Sequence, residues 1–170
     1  QGFNKSWFDL KRFKSKKKTV LFAGRLVKIK GVDVLIRAVQ GLNCELIILG
    51  DGPERKSLEK LSKELGVNAK FLGSYKRDDF KKFLATSSVY VLSSLGEGVP
   101  YSLLEALSSG IPIVASDIGL LSSREAWLFK PGDSEDLKRV LLKAFSSEAE
   151  CNKKSVNGFK FLEQFSWEGV

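Results

Sequence analysis

The sequence contains no histidine and no methionine, and only two cysteines and four prolines. With no histidine and two isolated cysteines, a zinc site is not expected, and no imidazole is available to a catalytic step. Cys44 opens an apolar run and reads as a core residue. Cys151 stands in a polar stretch and reads as exposed. A disulfide between them is not expected, because nothing marks the chain as secreted. No apolar run reaches the roughly 18 residues of a membrane helix, and no signal peptide is visible. A cytoplasmic protein is the expectation. The chain opens on Gln1 and stops at Trp167-Glu168-Gly169-Val170 with no helix stop signal, which reads as a piece cut from a longer protein.

What is present is ordinary for a globular domain. The 170 residues are 43% hydrophobic and 28% charged. A chain of this length fits one domain and can bury about 70% of the surface its unfolded form exposes, without metal or disulfide staples. The net charge of +8 is uneven. Lys5, Lys11, Arg12, Lys14, Lys16, Lys17 and Lys18 crowd the first stretch against one acid, Asp9. Residues 1–18 therefore read as a basic entry segment leading in from a preceding domain, and 19–170 as the folded unit. The plain reading of the lysines is a solvated surface. The functional one is attraction to anionic lipid headgroups at the inner face of a membrane, or to a polyanionic substrate. Nucleic acid is not an expected partner, since no stacking platform or known binding motif accompanies the charge.

Short apolar runs alternate with amphipathic segments. Thr19–Gly24, Glu45–Gly50, Lys70–Gly73, Val89–Ser93, Ile111–Ser116 and the weaker Trp127–Lys130 read as strands buried on both faces. Val32–Leu42, Pro53–Leu65, Asp78–Ala85, Ser102–Ser109, Ser134–Phe145 and about Glu148 to Phe165 carry apolar residues at helical spacing. The alternation predicts an α/β fold, a doubly wound parallel sheet of the Rossmann type.

In such a sheet ligands bind beyond the carboxyl ends of the strands, so the loops that follow strands matter most. After the first strand, Arg25 and Lys30 flank a short loop between Gly24 and Gly31. They could clamp a diphosphate, or be a pair of solvated cations. Gly50-Asp51-Gly52-Pro53 after the second strand reads as a tight turn. After the fourth strand, Glu97 lies in a glycine-flanked loop and Glu105 lies on the helix behind it. A helix N-terminus attracts anions, and Gly98 admits a phosphate close to the backbone. Glu97 can hydrogen-bond sugar hydroxyls, and Glu105 can take the vicinal hydroxyls of a ribose. The alternative for Glu105 is an ordinary surface helix residue.

The ordered set GRL…KG, GDGP, FLG, S-x3-EG-x-P-x4-EA, G-x-P-(V/I)-V-A and PGD resembles the C-terminal domain of family-4, or group 1, glycosyltransferases. The resemblance runs from about Thr19 to Asp136, and the FSWEGV ending is similar to the family's tail. It implies the C-terminal half of a GT-B fold, two Rossmann-like domains facing a cleft. This half would bind a nucleotide-sugar, and the other would supply most of the acceptor site. The implied reaction is retaining, metal-independent hexosyl transfer in polysaccharide biosynthesis. The donor would be a UDP-, GDP- or ADP-hexose, the acceptor a glycan or lipid-linked molecule, and no further cofactor would take part. By the same resemblance Arg25 and Lys30 neutralise the diphosphate and Glu105 binds the ribose. Glu97 lies near the donor sugar, Gly98 and Val99 offer backbone N–H groups, and Leu72, Gly73 and Ser74, with Tyr75, contact the base. The catalytic set implied is Glu97, Arg25 and Lys30. An isolated half is expected to bind donor without transferring sugar.

One stretch departs from the family's pattern. After Ala115-Ser116-Asp117 the family has two glycines and a longer loop, whereas this chain reads Ile118-Gly119-Leu120 and reaches Trp127 several residues early. Two other classes stay open on the residues alone. One is a nucleotide-sugar epimerase or hydrolase on the same fold, and the other is a non-catalytic binding module with an eroded site.

Overall fold

The structure, a computed structural model, describes residues 16–98 and 100–165. Val99, most of the basic entry segment and the end of the FSWEGV tail lie outside them. Strands β1 (Lys18–Ala23), β2 (Cys44–Leu49), β3 (Ala69–Gly73), β4 (Val89–Leu92), β5 (Ile113–Ser116) and β6 (Trp127–Phe129) form one sheet in the order β3-β2-β1-β4-β5-β6. Every pairing is parallel. Helices α1 (Val32–Val39), α2 (Arg55–Glu64), α3 (Arg77–Thr86), α4 (Tyr101–Ser109), α5 (Ser134–Ser146) and α6 (Glu148–Phe165) cover both faces. This is the doubly wound, Rossmann-like α/β sheet that the alternating pattern predicts.

Strand periodicity divides the core in two. Val20, Phe22, Leu46 and Ile48 point to one face, where they meet α1, α2 and α5. Leu21, Ala23, Ile47 and Leu49 point to the other, against Phe80 and Leu84 of α3 and Leu103, Ala106 and Leu107 of α4. Burying each such aliphatic side chain contributes about 1.5–3 kcal/mol, so neither face tolerates a polar substitution. Helix α6 starts beside the first cluster at Cys151 and reaches the second at Phe161 and Leu162.

Element boundaries move where loops compete for backbone groups. The second helix starts at Arg55 rather than at Pro53. The preceding residues are spent on a turn, with Glu54 N donating to Leu26 O at 3.0 Å and Arg55 N to Gly52 O at 3.1 Å. The first helix ends at Val39, short of Leu42, because Gln40 has left helical conformation (ψ 126°). At the other end of that helix, Gly31 adopts φ 62°. A methyl group there would run into the carbonyl of Ser93. Only glycine satisfies both demands.

Cys151 corrects its sequence reading. It is fully buried, not exposed. Trp127 Nε1 approaches its sulfur at 3.4 Å, and the thiol lies 3.3 Å from Ala144 O. The surrounding residues are polar, but Cys151 sits on the face of α6 that packs toward α5 and β6. Cys44 is buried as expected, and both thiols are free. Burial pushes the Cys44 thiol up to about 11 and raises that of Cys151 as well.

Two outcomes follow from this packing. At pH 8 both thiols should react with a disulfide reagent only after unfolding, since the thiolate is the nucleophile and both thiols are held protonated. Fast labelling of native protein, followed by absorbance, would contradict the burial. Gly31→Ala should lower stability by more than ~1 kcal/mol in urea titration, because it combines a left-handed backbone with a steric conflict.

Candidate active site

The strand order reverses between β1 and β4, so the loops after these two strands leave in opposite directions and open a crevice. Their contents are fixed to each other. Residues Lys28–Lys30 form a short 3-10 turn ended by Gly31. That turn docks on the end of β4: Ser93 Oγ donates to Lys30 O at 2.8 Å, and Leu95 N donates to Ile29 O at 2.7 Å. The docking carries the Lys30 ammonium onto Glu97 Oε1, with which it forms a hydrogen-bonded ion pair. Ser94, fully buried, donates to the same Oε1 at 2.6 Å. Ser116 at the end of β5 holds the Ser94 carbonyl at 2.6 Å. The Glu97 side chain is 11% exposed and that of Lys30 20%, so both charges of the pair are largely shielded from solvent.

The structure therefore brings Lys30 and Glu97 together, which spacing alone does not reveal. Arg25, on the same loop, is exposed, and among the described residues it makes no ion pair. Gly98 is exposed, and a Cβ built on it would meet nothing within 4 Å. Behind it α4 begins at Tyr101 with no side-chain cap. Its first N–H groups and the positive end of its dipole suit an anion. Val99 lies outside the described residues.

The loops after β2 and β3 close the other side. Gly50 N donates to Gly73 O at 2.7 Å, and Leu26 N to Asp51 O at 2.9 Å. Gly50 has φ 124°, and a Cβ on it would collide with the carbonyl of Gly24. Asp51 accepts from Gly52 N at 2.8 Å and from Arg55 at 2.9 Å. The backbone bond first, and the guanidinium second, hold its carboxyl below the usual range. Gly50-Asp51-Gly52-Pro53 is thus a turn that ties three loops together, as its composition suggests.

Leu72 and Ser74 are exposed and Gly73 is buried at the end of β3. Tyr75, next in line, is half-buried, and its phenol is raised by burial and then by the nearby Glu105. Glu105 is not an ordinary surface residue. Its side chain is 25% exposed and pairs with Arg77, Nε to Oε1, at 3.0 Å. Arg77 and Ser94 are residues of this region that sequence reasoning misses. Arg77 precedes two aspartates and looks like helix-start charge, while Ser94 looks like the end of a strand.

The short loop after β5 folds onto α6. Lys154, mostly buried, donates to Ser123 O, and Asn157 Nδ2 donates to Arg124 O at 3.1 Å. Within the loop, Glu125 accepts from the backbone and hydroxyl of Ser122 at 2.9 and 2.6 Å. Among the described residues no group of three or more metal-ligating side chains is placed to hold an ion. Among them, too, no helix is long and apolar enough to cross a membrane.

Comparison with known proteins agrees with this architecture. The chain is 36% identical over 162 residues to the lipopolysaccharide core biosynthesis glycosyltransferase LpsE of Rhizobium meliloti, covering 89% of this chain and 46% of the relative. The catalytic domain of cholesterol-alpha-glucosyltransferase from Helicobacter pylori superposes with a TM-score of 0.78 at 26% identity, covering 87% of this chain and 98% of that one. Anabaena Alr3699/HepE in complex with UDP-glucose superposes with a TM-score of 0.80 at 22% identity, a likeness of fold, over 95% of this chain and 49% of that one. The chain spans less than half the length of the relatives it matches in sequence. The model of the group 1 glycosyl transferases matches residues 4–161, and the chain belongs to that family.

Proposed function

We propose that this chain is the donor-binding half of a retaining, metal-independent glycosyltransferase that moves a hexosyl group from a nucleotide-sugar to a glycan or lipid-linked acceptor. The observation that carries the reading is the Lys30–Glu97 ion pair at the β1/β4 switch point, just before the uncapped start of α4. In this reading residues 19–170 are the donor domain and the first eighteen residues lead in from an acceptor-binding half. The greater length of the relatives supports that division. The basic entry segment would draw the enzyme to the anionic inner face of a membrane, where a lipid-linked acceptor resides.

The proposed division of labour follows from charge. The β-phosphate lies at the start of α4, against the N–H group of Gly98. Arg25 supplies a free cation there. Lys30 has three N–H donors and spends one on Glu97, leaving two for phosphate oxygens. Negative charge that develops on the departing diphosphate is then met by groups already in position, with no metal required. Glu97 is held through Oε1 by Lys30 and Ser94, so Oε2 is the oxygen that would reach a sugar hydroxyl. The nucleoside lies toward the other side of the crevice. Its base meets Leu72, Gly73 and Ser74, and its ribose meets Glu105. The UDP-glucose complex of the similar Anabaena protein supports a nucleotide-sugar as the ligand and makes UDP the first probe.

Calorimetric titration of this chain with UDP, GDP and ADP tests the reading. Saturable binding of at least one diphosphate is expected, and silence toward all three would end it. Arg25→Ala should weaken the preferred diphosphate by about 1.5–3 kcal/mol, the loss of a charge-assisted bond, and leave the nucleoside unaffected. Lys30→Ala should cost more than Arg25→Ala, because it also strands the Glu97 carboxylate beside the phosphates. Adding Glu97→Gln to Lys30→Ala should recover part of that difference. No recovery would mean that the Lys30–Glu97 pair does not tune the phosphate site.

A further inference from the structure

The two glutamates of the site are treated alike. Each carboxylate is engaged through Oε1 by a cation from a neighbouring element, Glu97 by Lys30 and Glu105 by Arg77. The first cation has a place in phosphate binding; the second is unassigned. Arg77 is the first residue of α3 and reaches across to α4, a separation that only the tertiary fold bridges. Its side chain is 72% exposed while that of Glu105 is 25% exposed. The arginine therefore covers the carboxylate from the solvent side, and the half-buried Tyr75 stands close enough to feel its charge.

We propose that Arg77 is a positioning residue for nucleoside recognition: it holds the Glu105 carboxylate in the crevice and compensates its charge next to an anionic ligand. The proposal rests on the assignment of Glu105 to the ribose. Charge compensation is needed because an uncompensated carboxylate would repel the ligand's diphosphate. Release of the ion pair is not needed for binding. An ionised carboxylate offers about four lone-pair sites, so it can accept two ribose hydroxyls while Arg77 stays in place. The closest approach is Nε to Oε1, and Oε2 is the oxygen proposed to take the ribose hydroxyls.

The test compares UDP with 2′-deoxy-UDP by calorimetry on the chain and its variants. Arg77→Ala should weaken UDP about three- to fivefold, the scale of an exposed ion pair, and 2′-deoxy-UDP by clearly less. The preference for the ribonucleotide then narrows. Arg77→Lys, which keeps the charge, should retain most of the preference. In a Glu105→Gln chain, where the partner is already neutral, Arg77→Ala should leave UDP binding unchanged. Equal losses for both ligands, as from a damaged loop, would overturn the proposal. So would tighter UDP binding, as from removal of a competitor for Glu105. If Glu105→Gln removes the ribose preference while Arg77→Ala leaves it intact, the role of Arg77 alone is wrong. If Glu105→Gln also leaves the preference intact, the ribose assignment has failed and the role of Arg77 falls with it.

Discussion

The site depends on how closely the turn at Lys28–Gly31 approaches the end of β4. No side chain fits between Gly31 and the Ser93 carbonyl. Because the backbones touch, Ser93 and Leu95 can bond the carbonyls of Lys30 and Ile29. Those bonds fix where Lys30 points, and Lys30 meets Glu97 as a result. The ion pair is thus a consequence of backbone packing at the topological switch point, the one place in a doubly wound sheet where adjacent loops diverge and leave a crevice.

Opposite charges are paired here before any ligand arrives. A cleft holding two carboxylates would be a poor place for a diphosphate if those carboxylates stood alone. Lys30 and Arg77 pair with them, and Arg25 with the helix start leaves a positive surplus where we propose that the phosphates bind. Groups arranged this way need little reorganisation when a negative leaving group forms. The glycines at the ends of β1, β2 and β3 let three loops close on one another, which fixes the loops after β2 and β3 relative to the loop after β1.

Much of this was legible in the sequence, for definable reasons. Six apolar runs and six amphipathic segments gave the alternation, because buried parallel strands and amphipathic helices leave periods that survive in a single chain. Arg25, Lys30, Glu97 and Gly98 stood out as candidates because they lie in loops that follow strands, where a doubly wound sheet places its ligands, and Glu105 because it lies on the helix behind the last of those loops. Partnerships were not readable. Lys30 and Glu97 are 67 positions apart, and no local pattern announces their contact. Arg77 was hidden among the charges of a helix start. Cys151 was misjudged because its neighbours are polar, although burial of one helix position is decided by what packs on that face. The helix limit at Arg55 slipped because Glu54 bonds the carbonyl of Leu26 across the fold, and that at Val39 because Gln40 turns out of helical conformation.

The central claim, that a nucleoside diphosphate occupies the crevice between the loops after β1 and β4, is tested most directly by mapping backbone amide shifts as UDP is added to the isotope-labelled chain. Shifts should concentrate at 24–31, 72–77 and 94–105, with the β5–β6 loop at 118–126 responding only weakly because α6 holds it. Shifts centred on the opposite edge of the sheet, or spread evenly over the chain at saturating UDP, would contradict the claim.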